Sequence, residues 1–175
     1  MAFSISLNAE AISANSGSIP DTAIRYTVTL EPRAGGLQMK FIFVNDSEKE
    51  YHLWEPSIGI PGYTSLFFST DKTPMISSNK DWASEYVPNG GSRLMTHTIK
   101  SGSSVEIWLP IGVFYDKIYK KIKEDNVYIY WGLSVMVANY NSSSIKKGET
   151  PPKLTYTSLP RIGGMLTLPR GTIVK

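Results

Sequence analysis

The 175-residue chain has no cysteine and only two histidines. The absence of cysteine excludes a disulfide framework, a thiolate zinc site and a cysteine nucleophile. His52 and His97 lie far apart in sequence, and neither has a partner at metal-motif spacing, so no metal site is expected. Charge of one sign is also scarce. Eighteen Lys and Arg against fifteen Asp and Glu leave a net charge of +3, too mild to demand a nucleic-acid partner. The one basic cluster, "DKIYKKIK", reads as a solvated helix face or turn. No apolar run approaches the ~20 residues of a membrane-spanning helix, so no membrane insertion is expected.

Targeting and catalytic signatures are missing as well. The N-terminal "MAFSISLNAEAISANSG" has neither the basic region nor the apolar region of a signal peptide. As written, the chain is expected in the cytoplasm. An exported chain whose leader had been removed would read the same way. No phosphate-cradling or dinucleotide glycine pattern occurs, so no cofactor is expected. No G-x-S-x-G elbow supports a serine nucleophile. Asp81 and Glu85 in "DWASEY" come nearest to a carboxylate pair, and they read as surface loop acids. No catalytic set emerges, and a non-enzyme is expected.

Strand patterns are abundant. "AIRYTVTLEP" alternates Ile24, Tyr26, Val28 and Leu30 on one face. "GLQMKFIFVN" puts Leu37, Met39, Phe41 and Phe43 on one face and Ile42 and Val44 on the other, which predicts a central strand. "NVYIYWGLSVMV" carries Val127, Ile129, Trp131, Leu133, Val135 and Val137 in phase. "SVEIWLP" alternates Val105, Ile107 and Leu109, and both Trp108 and Trp131 are expected in the core. Shorter candidates are "FSISL", "EYHLW", "TSLFFST", "RLMTHTI", "KLTYTSL" and "GMLTLP". Turn signals separate them, among them Asn45-Asp46, Ser101-Gly102 and Gly163-Gly164. Asp46, Glu48 and Glu50 read as solubilising turn residues. In "GVFYDKIYKKIKEDN", Phe114, Ile118 and Ile122 recur at spacing four, which suits one short helix near 113–123 or a loop with one helical turn. The expected fold is all-β, a single antiparallel sandwich over 1–175 with one short helix.

Three passages carry a family resemblance. "FVNDSEKEYHLW" resembles the strand–turn–strand opening of bacterial immunoglobulin-like sandwiches. "IKSGSSVEIWLPIG" is similar to their later turn and alternating strand, and "FYDKIYKKIKEDNVYIYWGLSV" resembles their passage into a long central strand. Intracellular proteinase inhibitors of the BsuPI type share this cadence. The likeness covers roughly residues 37–137. The turn at Ser101-Gly102 lacks the usual proline, and the stretch 71–93 is unusually long. The resemblance implies an immunoglobulin-like fold and a binding role, and it transfers no catalytic residue.

The long aperiodic stretch 71–93 is the natural place for function, because loops on a rigid frame carry adaptable contacts. It contains Trp82, Tyr86 and Arg93, the residue types that anchor interfaces. The same aromatics also suit packing of the loop onto its own sheet. The first expectation is a protein partner, with the chain acting as an inhibitor or a toxin-neutralising immunity protein. The alternative is carbohydrate binding, with Trp54, Tyr63, Trp82 and Tyr86 as flat platforms for sugar rings.

Overall fold

The computed structural model describes residues 12–33, 36–54, 64–72, 96–111, 117–140 and 157–172. In chain order the elements are β1 (Ser13–Ser18), β2 (Ile24–Arg33), β3 (Gly36–Asn45), β4 (Glu50–Trp54), β5 (Thr64–Ser69), β6 (Thr96–Ile99), β7 (Ser104–Pro110), α1 (Ile118–Glu124), β8 (Val127–Leu133), β9 (Met136–Tyr140), β10 (Thr157–Ser158) and β11 (Ile162–Leu168). The chain is mostly antiparallel β with one short helix, as the alternating patterns predict.

The first sheet runs β1-β2-β3-β7. Its inner face is the predicted one: Ile24, Tyr26, Val28 and Leu30 from β2, and Leu37, Met39, Phe41 and Phe43 from β3, are all buried. β3 pairs with β2 on one side and β7 on the other, so it is central, as its two-sided apolar pattern requires. The remaining strands form the orders β10-β9-β4-β6 and β11-β8-β5. The long predicted strand is present as β8 and β9, interrupted only at Ser134 and Val135. β4 pairs with β9, and β5 pairs with β8, along the same edge of this run. β10 and β11 line its other edge.

Trp131 on β8 packs against the first sheet. Its ring meets Tyr26 of β2 edge-on at 5.8 Å and Phe41 of β3 at 5.9 Å. Such T-shaped pairs add to the stabilisation from area burial alone. The helix closes one end. Ile118 and Ile122 are buried, as the spacing-four stripe predicts, while Phe114 lies outside the described residues. The Tyr119 hydroxyl accepts a hydrogen bond from the Leu37 N–H at 3.1 Å. Gly36, at φ +118°, lets the chain turn beneath that phenol, where a Cβ would collide with it.

Three sequence expectations are corrected, and one strand has no signature in the sequence. Trp108 is not a core residue. It is half-buried on the outer face of the first sheet, in register with Lys40. The Arg33 guanidinium lies 3.3 Å from its ring centroid and the Lys40 ammonium 5.0 Å, so cations cover the indole. Gly163 and Gly164 do not form a turn, because both lie inside β11. A Cβ at Gly163 would sit 2.7 Å from the Trp131 carbonyl oxygen, and one at Gly164 would sit 2.6 Å from Asn15 Oδ1. Close approach of backbone and side chain, rather than chain reversal, explains the pair. Glu50 is a strand residue rather than a turn residue, and its side chain is only 16% exposed. Finally, β1 has the sequence Ser-Ala-Asn-Ser-Gly-Ser, with no strand pattern of its own. It is held by six registered pairs to β2, and Ser13 Oγ accepts a bond from the Thr167 N–H at 3.0 Å. The candidate strand "FSISL" lies outside the described residues.

The corner between β3 and β4 is built on Asn45, which is fully buried. Its Nδ2 donates to the Lys49 carbonyl at 2.6 Å and the Ile99 carbonyl at 3.0 Å. Its Oδ1 accepts from Ser47 N–H at 3.0 Å and Ser47 Oγ at 2.8 Å. The expected Asx turn is therefore present, and it also reaches β6. Asp46 beside it forms a two-bond ion pair with Arg25, and the guanidinium holds the Asp46 carboxyl below the usual carboxylate range.

Because Trp131 is buried against Tyr26 and Phe41 of the first sheet, Trp131→Ala should lower the unfolding free energy by about 3–5 kcal/mol in urea melts. A loss below about 1 kcal/mol would contradict its placement between Tyr26 and Phe41.

Candidate functional site

Five residues are predicted from sequence to make contacts, and they stand differently in the structure. Trp54 ends β4. Tyr63, Trp82, Tyr86 and Arg93 lie outside the described residues. The attachment points of their segments are described, and they converge. Trp54 is in register with Thr96, where segment 73–95 enters β6. Segment 55–63 leaves at Trp54 and returns at Thr64, which pairs with Leu133. Leu53 pairs with Val137, so both ends of 55–63 flank the break at Ser134 and Val135. Tyr63 is adjacent in sequence to Thr64, and Arg93 is three positions before Thr96. The described residues that flank these segments, Trp54, Thr64 and Thr96, therefore lie near one another at the middle of the sheet edge. Asp81 and Glu85 also lie outside the described residues.

The two histidines sit side by side in the fold but cannot share a metal. His52 is in register with Thr98, and His97 with Leu53. Side chains directly opposite one another share a face, and neighbours along a strand alternate, so the two imidazoles belong to opposite faces. Among the described residues no group of three metal-ligating side chains occurs. His52 Nδ1 lies 3.1 Å from Thr98 Oγ1, and its Nε2 lies 3.1 Å from Glu50 Oε1. This row ties β4 to β6 directly below the convergence point.

The outer face of β11-β8-β5 lies alongside. Register sets three rows across it: Gly163–Gly132–Ser65, then Met165–Tyr130–Phe67, then Thr167–Tyr128–Ser69. The Phe67 and Tyr130 rings are 5.8 Å apart at 45°. The Tyr130 hydroxyl donates to the Lys72 carbonyl, at the point where segment 73–95 departs. Arg161, one residue before β11, donates through Nη2 to Ser65 Oγ and, at 3.5 Å, to the Gly132 carbonyl. Nothing in the local sequence around Arg161 marks this arrangement. Its floor, Gly132, is distant in sequence, and only the register of β8 with β11 brings the two together.

Comparison of the chain with protein-family models, with curated proteins and with solved structures gives no match. Among the described residues, no helix is long and apolar enough to cross a membrane.

Burial, then the charge of Asp71, then Tyr128 push the Tyr130 phenol above the ordinary tyrosine value. A raised folded-state value favours the neutral phenol, so its contribution to stability is complete below about pH 10 and is lost as pH rises through the folded value. Alkaline titration at the phenolate absorbance band should show one tyrosine ionising above the others, and Tyr130→Phe should remove that component. Removal of a component in the ordinary range instead would contradict the placement of Tyr130.

Proposed function

We propose that the chain is a non-enzymatic protein-binding module on an antiparallel immunoglobulin-like β-sandwich, serving as an inhibitor or a toxin-neutralising immunity protein. The observation that carries this reading is the convergence of segments 55–63 and 73–95 at the Trp54–Thr96 pair, beside the Thr64–Leu133 pair. Segment 55–63 leaves where segment 73–95, which carries Trp82, Tyr86 and Arg93, re-enters the frame, and β4 is paired there on both sides. A stable frame that presents loops at one place reduces the ordering cost of binding. The sandwich reading draws on the contact of Trp131 with β2 and β3, and on connections that pass between the layers at Asn45 and at Lys100–Ser103.

Carbohydrate binding is the second reading. The half-buried Phe67–Tyr130 row next to a guanidinium favours it, because sugar rings stack on aromatic faces and their hydroxyls take hydrogen bonds.

If Trp82 and Tyr86 make the contacts, replacing both with Ala should weaken binding of the captured native partner by more than ~2 kcal/mol with little change in melting temperature. If they pack the loop onto the sheet, the melting temperature falls and binding by the folded fraction is retained. Unchanged binding in a folded double variant would refute the loop reading. A tryptophan-fluorescence response to a glycan panel, with no protein captured, would favour the sugar reading.

A further inference from the structure

Arg161 is held in place without a counter-ion among the described residues. Among the described residues, Arg25 pairs with Asp46 and Lys40 with Glu106, while Arg33 is stacked on Trp108. Arg161 joins none of these pairs. Its Nη2 is committed to Ser65 and Gly132, whereas Nε and Nη1 have no acceptor among the described residues. The guanidinium lies against the β8 backbone. A Cβ on Gly132 would come within 2.7 Å of Nε and 3.0 Å of Ser65 Oγ. The glycine therefore makes room for the guanidinium, and two bonds fix its position. An arginine fixed in advance, with unused N–H donors and no neutralising acid, favours an incoming carboxylate at low ordering cost.

The next row supplies the rest of the footprint. Met165, Tyr130 and Phe67 stand two residues further along each strand on the same outer face, and all three are half-buried. Two residues along a strand span about 6.6–6.8 Å, which is also the same-face repeat of an extended peptide. We propose that this surface takes an extended segment of a protein partner, with a carboxylate of that segment on Arg161 and an apolar side chain two residues later on the Tyr130–Met165 row. The proposal rests on the protein-binding reading and adds the chemistry of the partner. A free phosphate or simple anion would use the guanidinium alone and leave the apolar row unfilled.

The test is a titration of the full chain with acetyl-Ser-Asp-Ser-Phe-Ser-amide and with its Asn counterpart, followed by NMR of the arginine Nε–H and tyrosine ring signals. The Asp peptide should shift the Arg161 and Tyr130 signals with a Kd of about 1 mM or tighter. The Asn peptide should bind at least about tenfold more weakly, as expected for loss of a charge-assisted bond. Arg161→Gln should lose binding to the same extent. Gly132→Ala, which keeps the charge but displaces the guanidinium, should weaken binding several-fold. Equal binding of the two peptides to the unaltered chain, or no shift at Arg161 up to about 10 mM, would overturn the proposal whatever the variants do. The titration needs no captured partner, so its failure removes the Arg161 anchor alone. Failure of the Trp82 and Tyr86 substitutions to weaken capture removes the loop reading alone.

Discussion

The amide of Asn45 is the constraint on which the rest of the structure depends. It has no exposed surface, yet all of its polar groups are bonded. Its backbone N–H donates to the Ser103 carbonyl, and its own carbonyl accepts from the Gly102 N–H, each at 3.0 Å. One residue therefore ties the end of β3, the β3–β4 turn, the last residue of β6 and the β6–β7 turn. The next residue extends the knot, since the Asp46 N–H donates to the Ala23 carbonyl at 2.9 Å. A buried amide left unpaired costs more than a paired one contributes, so the network is stable only when complete. It places the β3–β4 and β6–β7 turns side by side.

The position of the candidate site follows from this corner. With β3 and β6 locked at Asn45 and Ile99, the register of β4 against β6 is set from Tyr51–Ile99 upward. Three pairs later the register reaches Trp54 and Thr96, where the long segments emerge. A slip of one residue would exchange the faces of His52 and Leu53 and move His97 outward. The packing of Tyr51, Leu53 and Ile99 into the core resists such a slip.

How much of this is legible in the sequence depends on the range of the interaction. β2, β3 and β8 are legible because apolar residues alternate over seven or more positions, and burial follows that phase except at Thr29 and Gly132. Trp108 was open to misreading because its size suggests the core, whereas the phase of its neighbours Ile107 and Leu109, both buried, sends it outward. β1 carries no pattern, since its place comes from the free edge of β2 and from bonds to β11 rather than from its own side chains. The glycine pair in β11 has the local signature of a turn, and only distant neighbours, Trp131 and Asn15, give it another meaning. At the site, the residue types of Trp54, Tyr63 and Arg93 are visible locally, but the nearness of Trp54, Thr64 and Thr96 is a matter of β4–β6 and β5–β8 register. Arg161 over Gly132 is invisible for the same reason.

The most direct test of the account is the urea unfolding free energy of Asn45→Ala. The substitution removes the bonds of the Asn45 amide to the Lys49 and Ile99 carbonyls and from the Ser47 N–H and hydroxyl. With four bonds lost at roughly 1 kcal/mol each, the predicted loss is about 3 kcal/mol or greater. A loss below about 1 kcal/mol, the size of an ordinary surface change, would contradict the claim that this amide holds the corner together.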